Sequence, residues 1–401
     1  MATVAGSGRS WVALGGLAVG ALVWQAACGP KAGDTGLAAA TTDLLGSVGP
    51  SVVLPALRAF EGDAASLESA VRAWQSALAA GGDGVAERVE AQVAWDEAMM
   101  SWQQLEVMQI GPAGSSLTAV GGEDLRDEIY SWPTTNPCRV DQETASGGYA
   151  ESDFFTTNLV NTYGLDTLEH LLHSGADNVC PGQVDINADG LWADLGDDGV
   201  AVARADYAAV VVAGVADQAV ALRQAWDPDG GDFSGKLALT TGGSPYGSEQ
   251  EALNAVFDAL FYLESSTKDR KLATPMGNGD CVEDACPDDT ELWASGTSLL
   301  AIEANLVGFR LLFTGGEDGG FDDRLDAAGH GDLGVEIVAR TDAALSRVRV
   351  LQGPLSEAVV DRPADVQALH DDVKAVADLL KGDLATVMVL EIPSEAAGDN
   401  D

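Results

Sequence analysis

The chain has 401 residues, 46% of them hydrophobic, which is enough for a large core and too apolar for an intrinsically disordered protein. Asp and Glu number 63 against 21 Lys and Arg, a formal net charge of -42. That balance excludes nucleic acid and anionic membrane surfaces as partners and leaves polycations and metal ions, although a solvated acidic surface in a salty habitat needs no ligand at all.

Residues 1–28 read as an export signal: one Arg at position 9, an apolar run from Trp11 to Trp24, then small residues ending at Cys28. Ala26-Ala27-Cys28-Gly29 resembles a bacterial lipobox with Gln25 where Leu is usual, so lipidation of Cys28 and an outer-membrane or periplasmic anchor are expected. The apolar run is too short and Gly-rich for a membrane span, and no later segment is taken as one. Residues 29–45 are expected to be a flexible Gly/Ala/Thr tether, and residues 393–401 an acidic tail. The four remaining cysteines are even in number, as exported disulfide proteins require, and the favoured pairs are Cys138 with Cys180 and Cys281 with Cys286. CVEDAC lacks the second Cys or Cys/His pair of a zinc ribbon.

Ala/Leu/Val patterns of helical period dominate the rest of the chain, which makes the fold all-α. Helices are expected over residues 50–60, 64–79, 84–108, 149–174, 200–226, 248–265, 292–314, 333–351 and 363–380, punctuated by GPAGSS, GGSPYG and GGEDGG. They divide into antiparallel bundle halves, residues 46–199 with an acidic loop insertion and residues 200–392. NTYGLDTLEHLLHSG (161–175) aligns without gaps on IEANLVGFRLLFTGG (302–316). Either the halves are pseudo-repeats, or two amphipathic helices ending at glycine simply share a period.

Two of the chain's four histidines lie in GLDTLEHLLH (164–173). At 100° per residue the leucines 165, 168, 171 and 172 gather on one side, and Asp166, Glu169, His170 and His173 on the other. Asp166 lies one turn from His170, and Glu169 one turn from His173, a set suited to iron, zinc or manganese. The same pattern also suits a solvent-facing helix. The aligned second segment has Val307, Arg310, Leu311 and Thr314 instead, so only the first could hold a cation. A second ion site is expected in DINADGLWADLGDDG (185–199), whose D-x-N-x-D-G start offers Asp185, Asn187 and Asp189 to calcium, with Gly190 at the turn and Asp194 further on. Gly196 stands where the twelfth, acidic ligand belongs.

GLDTLE resembles the GxHxxE signature of the imelysin family. Further likenesses run in order along the chain: AVAWDEAMMSWQQLEVMQIGPAG, SWPTTNPCRVD, ARADYAAVVV, KDRKLATPMG, the segment Asn305 to Phe309, and GDLATVMVLEIP. The resemblance implies two helical halves around a central cleft faced by the signature helix, an exported protein, and either peptidase activity or a part in iron uptake or homeostasis. Gly164 and Glu169 take the motif's glycine and glutamate, while Asp166 replaces its histidine. His170 or His173 would have to restore the missing imidazole.

The leading expectation is therefore an envelope lipoprotein that binds a divalent or ferric ion, iron or zinc, or a small metal-linked ligand at Asp166, Glu169, His170 and His173. A metallopeptidase ranks second, because no HExxH occurs and His330 and His370 have no assignable partners. A metal-free scaffold or partner-binding lipoprotein with a degenerate site is third. Enzymatic activity is left open, leaning against.

Overall fold

The computed structural model describes residues 32–279, 281 and 283–393, and all regular structure among them is helical. The expected export signal with Cys28 and the expected tail beyond residue 393 lie outside the described residues.

The first helix, α1 (Ala32–Ser47), corrects the expected tether. Its Leu44 and Leu45 are buried, the Thr41 hydroxyl accepts from Arg324 Nε at 2.8 Å, and the Ser47 hydroxyl donates to the Gly319 carbonyl at 2.6 Å. Small residues made this stretch read as linker, but Ala and Leu are also strong helix formers once a surface is there to receive them. A π-turn (Val48–Val53) joins it to α2 (Leu54–Ala79). Pro50 cannot supply a backbone donor, and a widened turn absorbs that defect without ending the helix.

The remaining long helices are α3 (Val85–Glu106), α4 (Pro137–Ser146), α5 (Leu165–His173), α6 (Leu191–Trp226), α7 (Glu249–Leu260), α8 (Ser298–Thr314), α9 (Gly331–Val350) and α10 (Pro363–Leu379). Their starts are chemically marked. The Asn136 side chain caps α4 by accepting from Arg139 N, with Pro137 in the first turn, and the Ser248 hydroxyl caps α7 by accepting from Glu251 N. Between α7 and α8, Leu263–Ala273 winds as a π-helix.

α2 packs on α3 and α6, α3 on α8, α8 on α9, and α9 on α10, while α5 lies against α3 and α6. One hydrophobic cluster runs through all of them, from Leu44 to Leu390. α6, expected to open the C-terminal half, thus packs with N-terminal helices. A satellite cluster of Cys180, Ile186, Trp192 and Val200 sits under the Cys138–Cys180 disulfide; the Cys281–Cys286 disulfide is also formed. Gly308 sets the approach of α8 to α3, since a Cβ there would lie 2.2 Å from the Gln104 carbonyl oxygen.

Two expectations change. Gly36–Ala79 and Leu191–Trp226 are apolar and long enough to cross a bilayer, but half of each apolar window is buried within the fold, as in core helices. The helix expected over residues 149–174 is broken into single turns (Gly148–Ala150, Phe154–Thr157, Val160–Thr162) before α5 begins. Hydroxyls of Thr156, Thr157 and Thr162 bond to carbonyls three or four residues back, local bonds that compete with a continuous helix.

Candidate functional site

The signature helix α5 starts at Gly164, whose φ of 105° is open only to glycine. Space adds a second demand, because a Cβ would meet Asp166 Oδ1 at 2.8 Å and the Ile129 carbonyl at 2.9 Å. The leucines 165, 168, 171 and 172 are fully buried, as expected.

The polar residues do not share one outward arc. Asp166 is buried, and its Oδ2 accepts from the Ser131 amide at 3.0 Å, the Ser131 hydroxyl at 2.7 Å and the Thr135 hydroxyl; Oδ1 accepts from the Thr167 amide at 2.9 Å. Burial pushes its carboxyl upward against these bonds. It therefore ties the SWPTT loop to the helix. Glu169 is half-buried, and its Oε1 accepts from the amide and the hydroxyl of Ser295, both at 2.9 Å. Burial, with smaller repulsion from Glu291 and Asp166, pushes it up to about 7 in spite of those two donors.

His170 turns the other way, with Nε2 2.9 Å from Asp141 Oδ1 and Nδ1 3.0 Å from the Ser174 hydroxyl. Asp141 also accepts from Arg204 Nη2 at 3.3 Å and from the Val179 amide at 2.9 Å. His173 lies edge-on to Trp95, with ring centroids 5.2 Å apart, and burial followed by the charge of Arg88 pushes it down to about 4.

The expected ligand set is thus dispersed. No three of Asp166, Glu169, His170 and His173 offer ligand atoms within 4.8 Å of one another. Neither histidine replaces the motif imidazole: His170 faces Asp141, and the His173 Nε2, buried with no hydrogen-bond partner among the described residues, has no two further ligand atoms gathered beside it. These side chains do not fit a resident ion that needs about three protein ligands. Among the described residues, the one such grouping is Cys281, Cys286 and Asp289, and its two sulfurs are already joined as a disulfide. The expected calcium loop is likewise not a loop: Asp185–Ala188 is a helical turn and Asp194 lies in α6. The Asn187 amide nitrogen donates to Asn178 Oδ1 at 3.0 Å and the Cys180 carbonyl at 2.9 Å, while Asp185, Asp189 and Asp194 are exposed. His330 precedes α9 at the surface, and His370 is a buried residue of α10 beside Gln367 and Asp371.

What the sequence reading missed lies behind Glu169. Lys271, from the π-helical KDRKLA segment, is fully buried with Nζ 2.6 Å from Gln103 Oε1, 3.0 Å from Glu291 Oε1 and 3.2 Å from Glu106 Oε2. Glu106 also accepts from Arg126 Nη2 at 2.6 Å, and Glu291 accepts from the Tyr130 hydroxyl at 2.7 Å. The Asn305 side chain donates to the Gln103 carbonyl at 2.7 Å, across the α3–α8 contact that Gly308 permits. Burial would raise Glu106, but Lys271 and Arg126 outweigh it and hold its carboxyl below the usual range. For Glu291 burial prevails over Lys271, and its carboxyl rises. Two carboxylates and two cations thus form a fixed, nearly neutral centre. KDRKLATPMG was legible as a family mark; the helical wheel of α5 carried no sign of the segments that would meet it.

Comparisons with known proteins agree on the fold. A crystal structure of an imelysin-like protein from Psychrobacter arcticum 273-4 superposes with a TM-score of 0.62 at 14% identity, covering 88% of this chain and 97% of that one. A crystal structure of a putative iron-regulated protein A precursor from Parabacteroides distasonis ATCC 8503 gives 0.64 at 15% identity, covering 87% and 95%. No curated protein matches significantly. Residues 53–382, most of the chain and both sides of the Lys271 centre, match the family model described as Imelysin, and the chain belongs to that family.

Proposed function

We propose that this chain is an exported imelysin-family protein of the cell envelope, anchored through Cys28, that acts by binding and not by peptide hydrolysis. The observation that carries this reading is the disposition of GLDTLE. Asp166 is committed to Ser131 and Thr135, His170 faces Asp141 and His173 lies edge-on to Trp95, so a zinc hydrolase's three ligands and open water position are not assembled. Glu169 differs from its neighbours: Oε1 is held by Ser295, and Oε2 takes no donor from the described residues. A half-buried carboxyl that exchanges its proton near neutrality, on a rigid charged support, is suited to contact a ligand.

A second reading, iron uptake or homeostasis through a metal-linked ligand, is favoured by the likeness to the iron-regulated protein A precursor of Parabacteroides distasonis and by that free oxygen. One carboxylate oxygen is a poor cage for a bare ion but suffices to complete a complex that brings its own ligands.

Titration calorimetry and metal analysis of the purified protein, with zinc chloride and with ferric citrate as probes, test both. The expected result is no stoichiometric zinc and no chelator-sensitive cleavage of an unfolded protein substrate. Stoichiometric zinc lost in Glu169→Ala, together with cleavage that a chelator abolishes, would overturn the first reading. Ferric citrate binding lost in the same variant would establish the second reading, and its absence in wild type would remove it.

A further inference from the structure

The start of α7 gathers three segments. The Thr42 hydroxyl of α1 donates to Glu249 Oε1 at 3.0 Å, the Tyr246 hydroxyl donates to the Val120 carbonyl at 3.4 Å, and the Gln250 side chain donates to the Val389 carbonyl at 3.1 Å. Two turns further along α7, Phe257 meets Phe321, and the nearby Gly319 carbonyl accepts from Ser47 at the other end of α1. α1 and α7 therefore run in the same direction, and residues 32–41 of α1 extend past the start of α7.

α1 begins at Ala32, and Cys28 precedes it by a span of at most about 14 Å. A lipid held by Cys28 thus lies at this end of the molecule. The opposite end is out of its reach, because Gly36 to Ala79 is one uninterrupted helix and α3 starts beyond it, about 65 Å of helix away.

Apolar side chains stand out at the same end. Leu117 is 92% and Val389 79% exposed, and Val120 and Ile392, in the same two segments, are exposed as well. Val389 follows the helical turn Ala385–Met388 with a φ of 55°, a left-handed conformation in which a β-branched residue is strained and glycine is usual. The fold therefore holds an apolar side chain in solvent at a position whose backbone favours none. Glu249, Glu251 and Glu391 are exposed in these segments, which sets this end against an anionic surface and leaves one of low net charge.

We propose that this end of the molecule, presenting Leu117, Val120, Val389 and Ile392, lies on the zwitterionic lipid surface of the bilayer that holds Cys28. The proposal rests on the anchored reading given above. Apolar side chains inside a polar rim enter the boundary between headgroups and acyl chains, and a short tether keeps their effective concentration there high.

The test is hydrogen exchange on the chain from Cys28 onward, which holds every described residue and whose free thiol is Cys28, the other four cysteines being joined as disulfides. That thiol is coupled to a maleimide lipid in phosphatidylcholine vesicles, and the coupled protein is compared with the uncoupled one. Peptides covering residues 115–122 and 387–393 should exchange about threefold more slowly on vesicles. The exposed Val85, Val89 and Val93 at the start of α3 should show no change. The Leu117→Ser/Val389→Gly double variant should exchange on vesicles as it does when free. Its circular dichroism spectrum should match wild type, since both positions are exposed and glycine relieves the strain at 389. The proposal is overturned by equal exchange on and off vesicles or by protection that the double variant retains. Protection of the same peptides in vesicle-free protein at raised concentration also overturns it, and assigns the face to a second copy of the chain. Absence of acyl chains on Cys28 after expression in a bacterial envelope, read by intact mass, would end the anchored reading whichever way exchange falls.

Discussion

The polar residues of α5 and the Lys271 centre are neighbouring acidic regions held by opposite means. On α5 the polar side chains are held one by one: Asp166 takes hydroxyls and amides, Glu169 takes Ser295 and His170 takes Asp141, while His173 rests against Trp95 with a buried Nε2 that has no hydrogen-bond partner among the described residues. At Lys271 one ammonium is shared by residues from α3 and the stretch before α8. Hydroxyl and amide donors hold a carboxylate without cancelling its charge, whereas ammonium and guanidinium groups cancel it. Burial carries Glu169 up to about 7, while at the charged centre Glu106 falls and Glu291, where burial outweighs Lys271, still rises. The neutral-donor end thus keeps a titratable, half-buried carboxyl, and the charged end holds its carboxylates in buried ion pairs.

Lys271→Met should break the comparison most severely. Glu106 and Glu291 would remain buried with half their cationic support gone, and loss of one partner from a buried ion pair costs roughly 3–5 kcal/mol, read as a lower denaturant midpoint. Adding Glu291→Gln to that variant should recover part of the loss, because one of the stranded charges disappears. Asp166→His, which restores the family's imidazole, should also destabilise. It leaves the Ser131 amide without its acceptor, and a stranded buried donor costs about 1–3 kcal/mol. If Asp166→His is as stable as wild type, the carboxylate is not the strut of the SWPTT loop.

Two smaller effects sharpen the comparison through pH. Glu169 is raised in the fold relative to an unfolded glutamate near 4.5, so the folded state binds its proton more tightly. Its contribution to stability should grow as pH falls from about 7 toward 4.5, by at most about 1.4 kcal/mol per pH unit for one proton. The difference between wild type and Glu169→Gln in denaturant titrations across that window isolates it. His173 has the opposite sign: at about 4 in the fold against 6.5 unfolded, it must stay neutral, and stability is lost as pH falls between those values. His173→Phe should remove that acid-side loss while keeping the ring contact with Trp95.

The all-α class, most long helices and both disulfide pairs were legible because period, caps and cysteine parity act locally along the chain. The motif glycine was legible too, and the structure supplies its reason in the Ile129 carbonyl beside Gly164. The tether, the long helix over residues 149–174, the calcium loop and the metal tetrad were misread for one shared reason. Each reading took the segment as if its surroundings were solvent. The sequence by itself determined that Asp166, Glu169, His170 and His173 lie within three turns of one helix. Only the tertiary structure decided what faces them, because Ser131 and Asp141 of SWPTTNPCRVD, Ser295, and Trp95 come from three distant segments, and a helical wheel records direction from an axis but not what fills the space beyond it. The same holds for Lys271, a charge in a polar stretch that reads as solvent-facing until α3 and α8 close over it.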